Sequence, residues 1–309
     1  MKRVLVTGCK GRIGSMLMRG LRRNPEYEVV ATARDADPEE GILSLDLRDP
    51  EAAKERMRGV DTVVHMAAFL GAFGFEDKII PNNVLGTYHL FEAMRENGCR
   101  RMVNGSTNHV IGFYRTSDRI DGDSPPRPDT LYGLGKAMVE VMGQYYADKH
   151  GISCINIRIG HYSVPDRPLS PIKTLTWISQ RDMLQLVERC IDAPESVRFL
   201  NVFGVSGNTG RFWTNEGVRE LIGYEPQDDG TLYLEEARRT DWWKVPGEDR
   251  FRDDNGYMGM DFVTMTGMPN GFPPGRKPAG PSSADNDADA VRNDGDRRGS
   301  GPEQPVGQP

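Results

Sequence analysis

No stretch of this chain comes near the roughly 20 consecutive apolar residues that a membrane helix needs, so a helical membrane span is not expected. The opening residues, MKRVLVTGC, hold too short an apolar core for a secretory leader. Cysteine is scarce: there are four, and none forms a C-x-x-C pair, which argues against a zinc knuckle or a disulfide framework. Scattered thiols suit a reducing compartment, so a cytoplasmic location is expected. A basic excess is also missing. With 39 Lys and Arg against 45 Asp and Glu the net charge is −6, and no global positive field draws nucleic acid or an anionic membrane surface. His65, His89 and His150 stand alone without ligand spacing and read as packed or surface residues, so no metal site is expected.

Large apolar residues run out near the C-terminus. After Phe272 the larger aliphatics are Val291 and Val306, amid Gly, Pro, Asp, Asn and Arg. Such text cannot bury enough surface to offset its ordering entropy, so residues 266–309 read as a disordered tail behind a folded unit of residues 1–265.

Within that unit short apolar runs alternate with helical text. The runs are RVLVT (3–7), VVATA (29–33), ILSLDL (42–47), TVVHMAA (62–68), RMVNGS (101–106) and SCINIRI (153–159). The first helix carries Ile13, Leu17 and Leu21 on one face. A second, over 82–97, carries Val84, Tyr88, Phe91 and Met94 and stops at Gly98. A third, over 131–151, is expected to bury Met138, Met142 and Tyr145. Strands alternating with helices imply a parallel sheet covered on both faces, an α/β doubly wound fold. The less regular text over 165–265 is expected to supply much of the substrate side.

Between the first strand and the first helix lies TGCKGRIG, with Gly8, Gly11 and Gly14 at G-x-x-G-x-x-G spacing. Glycine there permits a tight turn and a close backbone approach to a pyrophosphate, with the helix N-terminus offering its amides to the charge. The second strand ends at Ala33-Arg34-Asp35. A carboxylate at that place accepts ribose hydroxyls and selects NAD, whereas an arginine suits a 2′-phosphate. Arg34 falls closer to the expected position, which tilts the choice between NAD and NADP toward NADP. Asp46 either approaches an adenine amino group or sits in an exposed loop.

Two further features concern chemistry. The strand-like run MVNGSTNHVIGFY (102–114) is interrupted by Ser106, Thr107, Asn108 and His109. Buried polar groups without partners are costly, about 1–3 kcal/mol each, so the run reads as a turn or as the polar wall of a pocket. Downstream, Tyr132 and Lys136 lie four residues apart near a helix start and share a face. A phenol titrates near 10, and bringing it to about 7 takes roughly 4 kcal/mol of extra phenolate stabilisation, which a nearby ammonium and a cationic ring would supply. A surface tyrosine beside a solvated lysine is the plain alternative.

These elements in this order (TGCKGRIG, Asp46-Leu47, HMAA at 65–68, NNVLGT at 82–87, GSTNH at 105–109 and YGLGK at 132–136) resemble the extended short-chain dehydrogenase/reductase family. Within it the chain is similar to uronate dehydrogenases and related aldose dehydrogenases, through STNHVIGFY (106–114), RIG (158–160), LTWISQRD (175–182) and FGVSGNTGRFW (203–213). The resemblance covers about residues 1–230. It implies a Rossmann-type sheet with a small C-terminal substrate-binding part, and an NAD(P)-dependent oxidation of a sugar or uronic acid at its anomeric carbon to a lactone. Tyr132 would be the general base, Lys136 would hold the nicotinamide ribose, and Thr107 would take the place of the catalytic serine. Gly8, Gly11, Arg12, Ile13, Gly14, Arg34, Asp35, Asp46, Leu47, Met66, Ala67, Ala68 and Ile159 would join Tyr132 and Lys136 around the cofactor. Ser106, Thr107, Asn108, His109, His161 and Lys173 would face the substrate.

The chain departs from the subgroup at several of these places. Leu70 stands near a substrate-binding serine, His161 replaces a smaller polar residue, and Ile172 occupies the place of a carboxylate-binding arginine, with Lys173 beside it and Arg167 nearby. Lysine is not equivalent to a bidentate guanidinium at such a position. Members of the family are often dimers or larger, so a homo-oligomer is an open expectation. A nucleotide-sugar epimerase or dehydratase, and a dinucleotide-sensing protein without chemistry, are the alternative functions.

Overall fold

A computed structural model describes residues 1–71 and 73–239 together with Met258, all within a unit spanning Met1–Phe272. The expected tail at 266–309 lies outside the described residues.

Seven parallel strands form one sheet: β1 (Lys2–Thr7), β2 (Tyr27–Ala33), β3 (Ile42–Ser44), β4 (Thr62–His65), β5 (Arg101–Thr107), β6 (Ser153–Ile159) and β7 (Phe199–Gly204). Their spatial order is β3-β2-β1-β4-β5-β6-β7, so the direction of winding reverses between β1 and β4. All residues of β4 and β5 are buried, as expected for the middle of a sheet covered on both faces. The seventh strand, FLNVFG, escaped the sequence reading.

One face is covered by α1 (Arg12–Leu21) and α5 (Gln180–Ile191), the other by α2 (Pro50–Arg56), α3 (Gly86–Asn97) and α4 (Leu131–His150). Leu17 and Leu21 of α1 are fully buried with Met183 and Leu186 of α5. Side-chain caps start several helices. Asp49 accepts from the Glu51 and Ala52 amides ahead of Pro50, and the Thr130 hydroxyl accepts from the Gly133 amide at 2.9 Å. Gly98 ends α3 in the left-handed conformation, as its sequence suggests. The first four residues of the expected helix over 82–97 are differently wound: a π-helix, Phe75–Leu85, carries Pro81 and runs into α3. Tyr88 lies outward there, 44% exposed.

Helix α4 overturns the expected burial of Met138 and Tyr145, while Met142 is partly buried against the core. Met138 is 39% and Tyr145 54% exposed, while Gly133, Lys136, Ala137, Glu140, Gly143 and Ala147 face inward. Small residues at Gly133, Ala137, Gly143 and Ala147 let the backbone approach closely, and Lys136, Val139, Glu140 and Tyr146 are buried among them. A Cβ on Gly143 would overlap the Cys154 thiol of β6.

Candidate active site

The carboxyl ends of β1, β2, β4, β5 and β6 open on one crevice where the winding reverses, the usual ligand position in an open α/β sheet. After Thr7 the chain turns through Gly8, whose φ is +74° and where a Cβ would come within 2.7 Å of the Ala67 amide nitrogen. A Cβ on Gly14 would overlap the Gly8 carbonyl oxygen. Gly11 caps α1 without a side chain, which leaves the first-turn amides for an anion. This turn forms one wall of a cavity of about 710 Å³, completed by the strand ends at Thr32–Arg34, Leu45–Leu47, Met66–Leu70, Gly105-Ser106 and Ile159 with Tyr132, Lys136 and Tyr162. Such a volume is ample for a small-molecule site.

Charges at its far end are organised. Arg48 grips Asp46 with its nearest pair at 2.5 Å, and those hydrogen bonds hold the Asp46 carboxyl down at about 2. The Arg34 guanidinium lines the cavity and donates to Asn82 Oδ1 at 3.2 Å, whereas Asp35 is outside the lining. A glycine cradle that a Cβ would fill, uncapped amides and a cleft across the switch point fit a dinucleotide.

A smaller cavity of about 300 Å³ adjoins the first and shares Ile13, Leu70, Ser106, Tyr132, Ile159 and Tyr162 with it. Its remaining wall comes from Thr107, Asn108, His109, Thr130, Gly160 and His161. The polar interruption of MVNGSTNHVIGFY is thus the wall of a pocket: β5 ends at Thr107 and a single 3₁₀ turn, Asn108–Ile111, follows. Thr107 Oγ1 accepts from the His109 amide at 3.3 Å and donates to Asn108 Oδ1 at 3.3 Å.

Lys136 is buried and its ammonium donates to the Gly105 carbonyl at 2.6 Å. Burial lowers its pKa to about 8, against the opposing charge of Glu140. Burial pushes the Tyr132 phenol above the usual range. His161 is held neutral with its pKa lowered to about 3, first by burial and then by the Lys173 charge. Its Nε2 is buried with no hydrogen-bond partner among the described residues.

Of the residues singled out in the sequence, Gly8, Gly11, Arg12, Ile13, Gly14, Arg34, Asp46, Leu47, Met66, Ala67, Ala68, Tyr132, Lys136 and Ile159 line the larger cavity. Ser106, Thr107, Asn108, His109 and His161 line the smaller one. Lys173 lines neither, although its charge reaches His161, and Arg167 is paired with Glu236. His65, expected to be a packed residue, lies buried between the Thr7 and Thr87 hydroxyls.

Two residues, Asp129 and Glu140, had no such reading. Asp129 is wholly buried and both its carboxylate oxygens face His109 Nδ1, at 3.0 and 3.2 Å. Glu140 accepts from Ser106 Oγ at 2.6 Å and from Arg158 Nη2 at 2.9 Å in a sealed network behind the site. The one available signal was helical spacing, since Glu140 follows Lys136 by four residues on the same face.

Comparison with known proteins agrees with this geometry. Residues 4–180 match the model of the NAD dependent epimerase/dehydratase family. The uronate dehydrogenase of Pseudomonas putida is 36% identical over 235 residues, 75% of this chain and 86% of that protein. The NAD-dependent glucose-6-phosphate dehydrogenase of Haloferax volcanii is 31% identical over 77% of this chain and 98% of its own length. A solved variant of uronate dehydrogenase from Agrobacterium tumefaciens, complexed with NAD, superposes with a TM-score of 0.77 at 30% identity, covering 87% of this chain and 99% of that one. The chain therefore belongs to the NAD dependent epimerase/dehydratase family, as a uronate-dehydrogenase-like member of the extended short-chain dehydrogenases.

Proposed function

We propose that this protein oxidises an aldose or a uronic acid at its anomeric carbon, giving the lactone. The observation that carries the reading is Tyr132, which walls both cavities and stands beside Thr107 in the smaller one. A nicotinamide dinucleotide bound in the larger cavity supplies the hydride acceptor. In this reading the Thr107 hydroxyl holds the substrate oxygen and the Tyr132 phenolate takes its proton. Because burial favours the neutral phenol, Tyr132 acts as a base only when positive charge is placed beside it. Lys136, fixed by Gly105, is assigned to the nicotinamide ribose. The amides of α1 take the pyrophosphate, and Asp46 and Leu47 meet the adenine end.

Asn108, His109 and His161 are assigned to sugar hydroxyls; Lys173, outside both cavity linings, is assigned no contact with the substrate. The NAD-dependent relatives and the NAD complex of the Agrobacterium protein support NAD as cofactor. Arg34 in the cavity lining, with Asp35 outside it, extends the proposal to NADP.

The test is to incubate the purified chain with NAD or NADP and a panel of aldoses and uronates, following reduced-nicotinamide absorbance. Turnover with at least one sugar is expected. Silence across the whole panel rejects the substrate class.

A further inference from the structure

His109 is held more firmly than a hydroxyl-reading residue on a loop needs to be. Its Nδ1 faces both oxygens of Asp129, at 3.0 and 3.2 Å, and the Asp129 amide donates back to the His109 carbonyl at 3.2 Å. The Asp129 side chain has no solvent exposure, while that of His109 keeps 20% and its ring lines the smaller cavity. The ring also stands edge-on to Tyr132, with centroids 6.3 Å apart. Asp129 immediately precedes Thr130, the cap of α4, so one short segment sets both the imidazole and the helix start that carries Tyr132.

A carboxylate opposite Nδ1 requires a proton there, and in the neutral ring Nε2 is then an acceptor. We propose that Asp129 is a positioning residue for the substrate: it fixes the His109 tautomer and ring orientation so that Nε2 accepts a hydrogen bond from a sugar hydroxyl in the smaller cavity. The proposal rests on the sugar-oxidising reading above and names the residue that sets one of its recognition contacts. Asp129 does not touch substrate; it acts through His109. A ring so held favours a substrate carrying a hydroxyl donor at that place over the deoxy analogue, which cannot supply that hydrogen bond.

The experiment compares the wild type with Asp129→Asn, His109→Ala and the double variant. An asparagine amide donates to Nδ1 and moves the ring proton to Nε2, turning an acceptor into a donor. Long-range ¹H–¹⁵N correlation spectra of the imidazole are expected to show an Nδ1-protonated His109 in the wild type and the opposite tautomer in D129N. The KM for sugar is expected to rise about tenfold in D129N, with dinucleotide affinity and thermal midpoint unchanged. D129N is expected to add nothing further in the H109A background. An Nε2-protonated ring in the wild type overturns the proposal, and so does a D129N effect that persists in full without His109. The tautomer is read without turnover, so absence of activity on every sugar rejects the functional reading while the spectra still decide the role of Asp129.

Discussion

The two cavities share six residues and yet are built by opposite means. The larger one is walled by strand ends, glycines and backbone amides from the first half of the fold, with few side chains set by other side chains. The smaller one adds polar side chains on the segments after β5 and β6, some of them oriented by a partner elsewhere in sequence. Asp129 orients His109, and Glu140 with Arg158 holds Ser106. Backbone geometry suits a ligand that is the same for a whole family, whereas side-chain partnerships suit a substrate that differs between members.

The strongest challenge to that division is Tyr132→Phe, since this residue belongs to both walls. Turnover is expected to fall roughly 10²–10⁴-fold, the usual worth of a positioned acid–base group, with dinucleotide affinity retained in a fluorescence titration. Retention of most activity places the chemistry elsewhere. Gly14→Ala attacks the backbone-built wall alone. Its Cβ overlaps the Gly8 carbonyl, and dinucleotide affinity is expected to drop about 100-fold, or roughly 2.7 kcal/mol. Asn108→Ala, from the other wall, is expected to change the KM for sugar and leave that affinity alone.

Acid contrasts the two regions through their histidines. His65 lies behind the larger cavity and His161 borders the smaller, and both are held neutral with pKa values lowered to about 3, chiefly by burial. Between the ordinary value near 6.5 and 3, the unfolded chain binds protons that the folded one refuses. Stability is therefore lost as pH falls through that window, by at most about 1.4 kcal/mol per pH unit for each histidine. Urea midpoints at pH 7 and pH 5 measure it, and His161→Phe is expected to shrink the difference. An unchanged difference would show that His161 is not a neutral buried group. The smallest effect is at Arg34→Ala, which is expected to lower the NADP-to-NAD ratio of kcat/KM about tenfold, the worth of a charge-assisted hydrogen bond. A ratio that does not move removes Arg34 from cofactor selection.

Sequence text recorded these two regions unequally. The glycine turn and the six apolar runs were readable because spacing and local propensity determine them. Helix α4 was misread at Met138 and Tyr145 because the reading equated large apolar residues with burial. Its buried side is instead selected by Gly133, Gly143 and Ala147, which allow the helix to sit close on the sheet. The cavity lining at Thr107, Asn108 and His109 was legible as polarity inside an apolar run. Asp129 was not, since it lies 20 residues from its partner and beside a cap that gives an acidic residue an ordinary reason to be there. Glu140 and Arg158 come together only through the packing of α4 on β6, which no local pattern encodes.

The Glu140–Arg158 pair has a consequence for how α4 is seated. Their side chains are 3% and 1% exposed, with Arg158 on β6 and Glu140 two helical turns beyond Tyr132. A roll of the helix by one residue, about 100°, would carry the carboxylate away from the guanidinium and leave both charges in the interior. Breaking a pair of that kind costs about 3–5 kcal/mol, so alternative seatings are strongly excluded. The pair acts as a key cut for one rotation of the helix. The position of the Tyr132 hydroxyl in the crevice is thereby dictated from a place no ligand reaches.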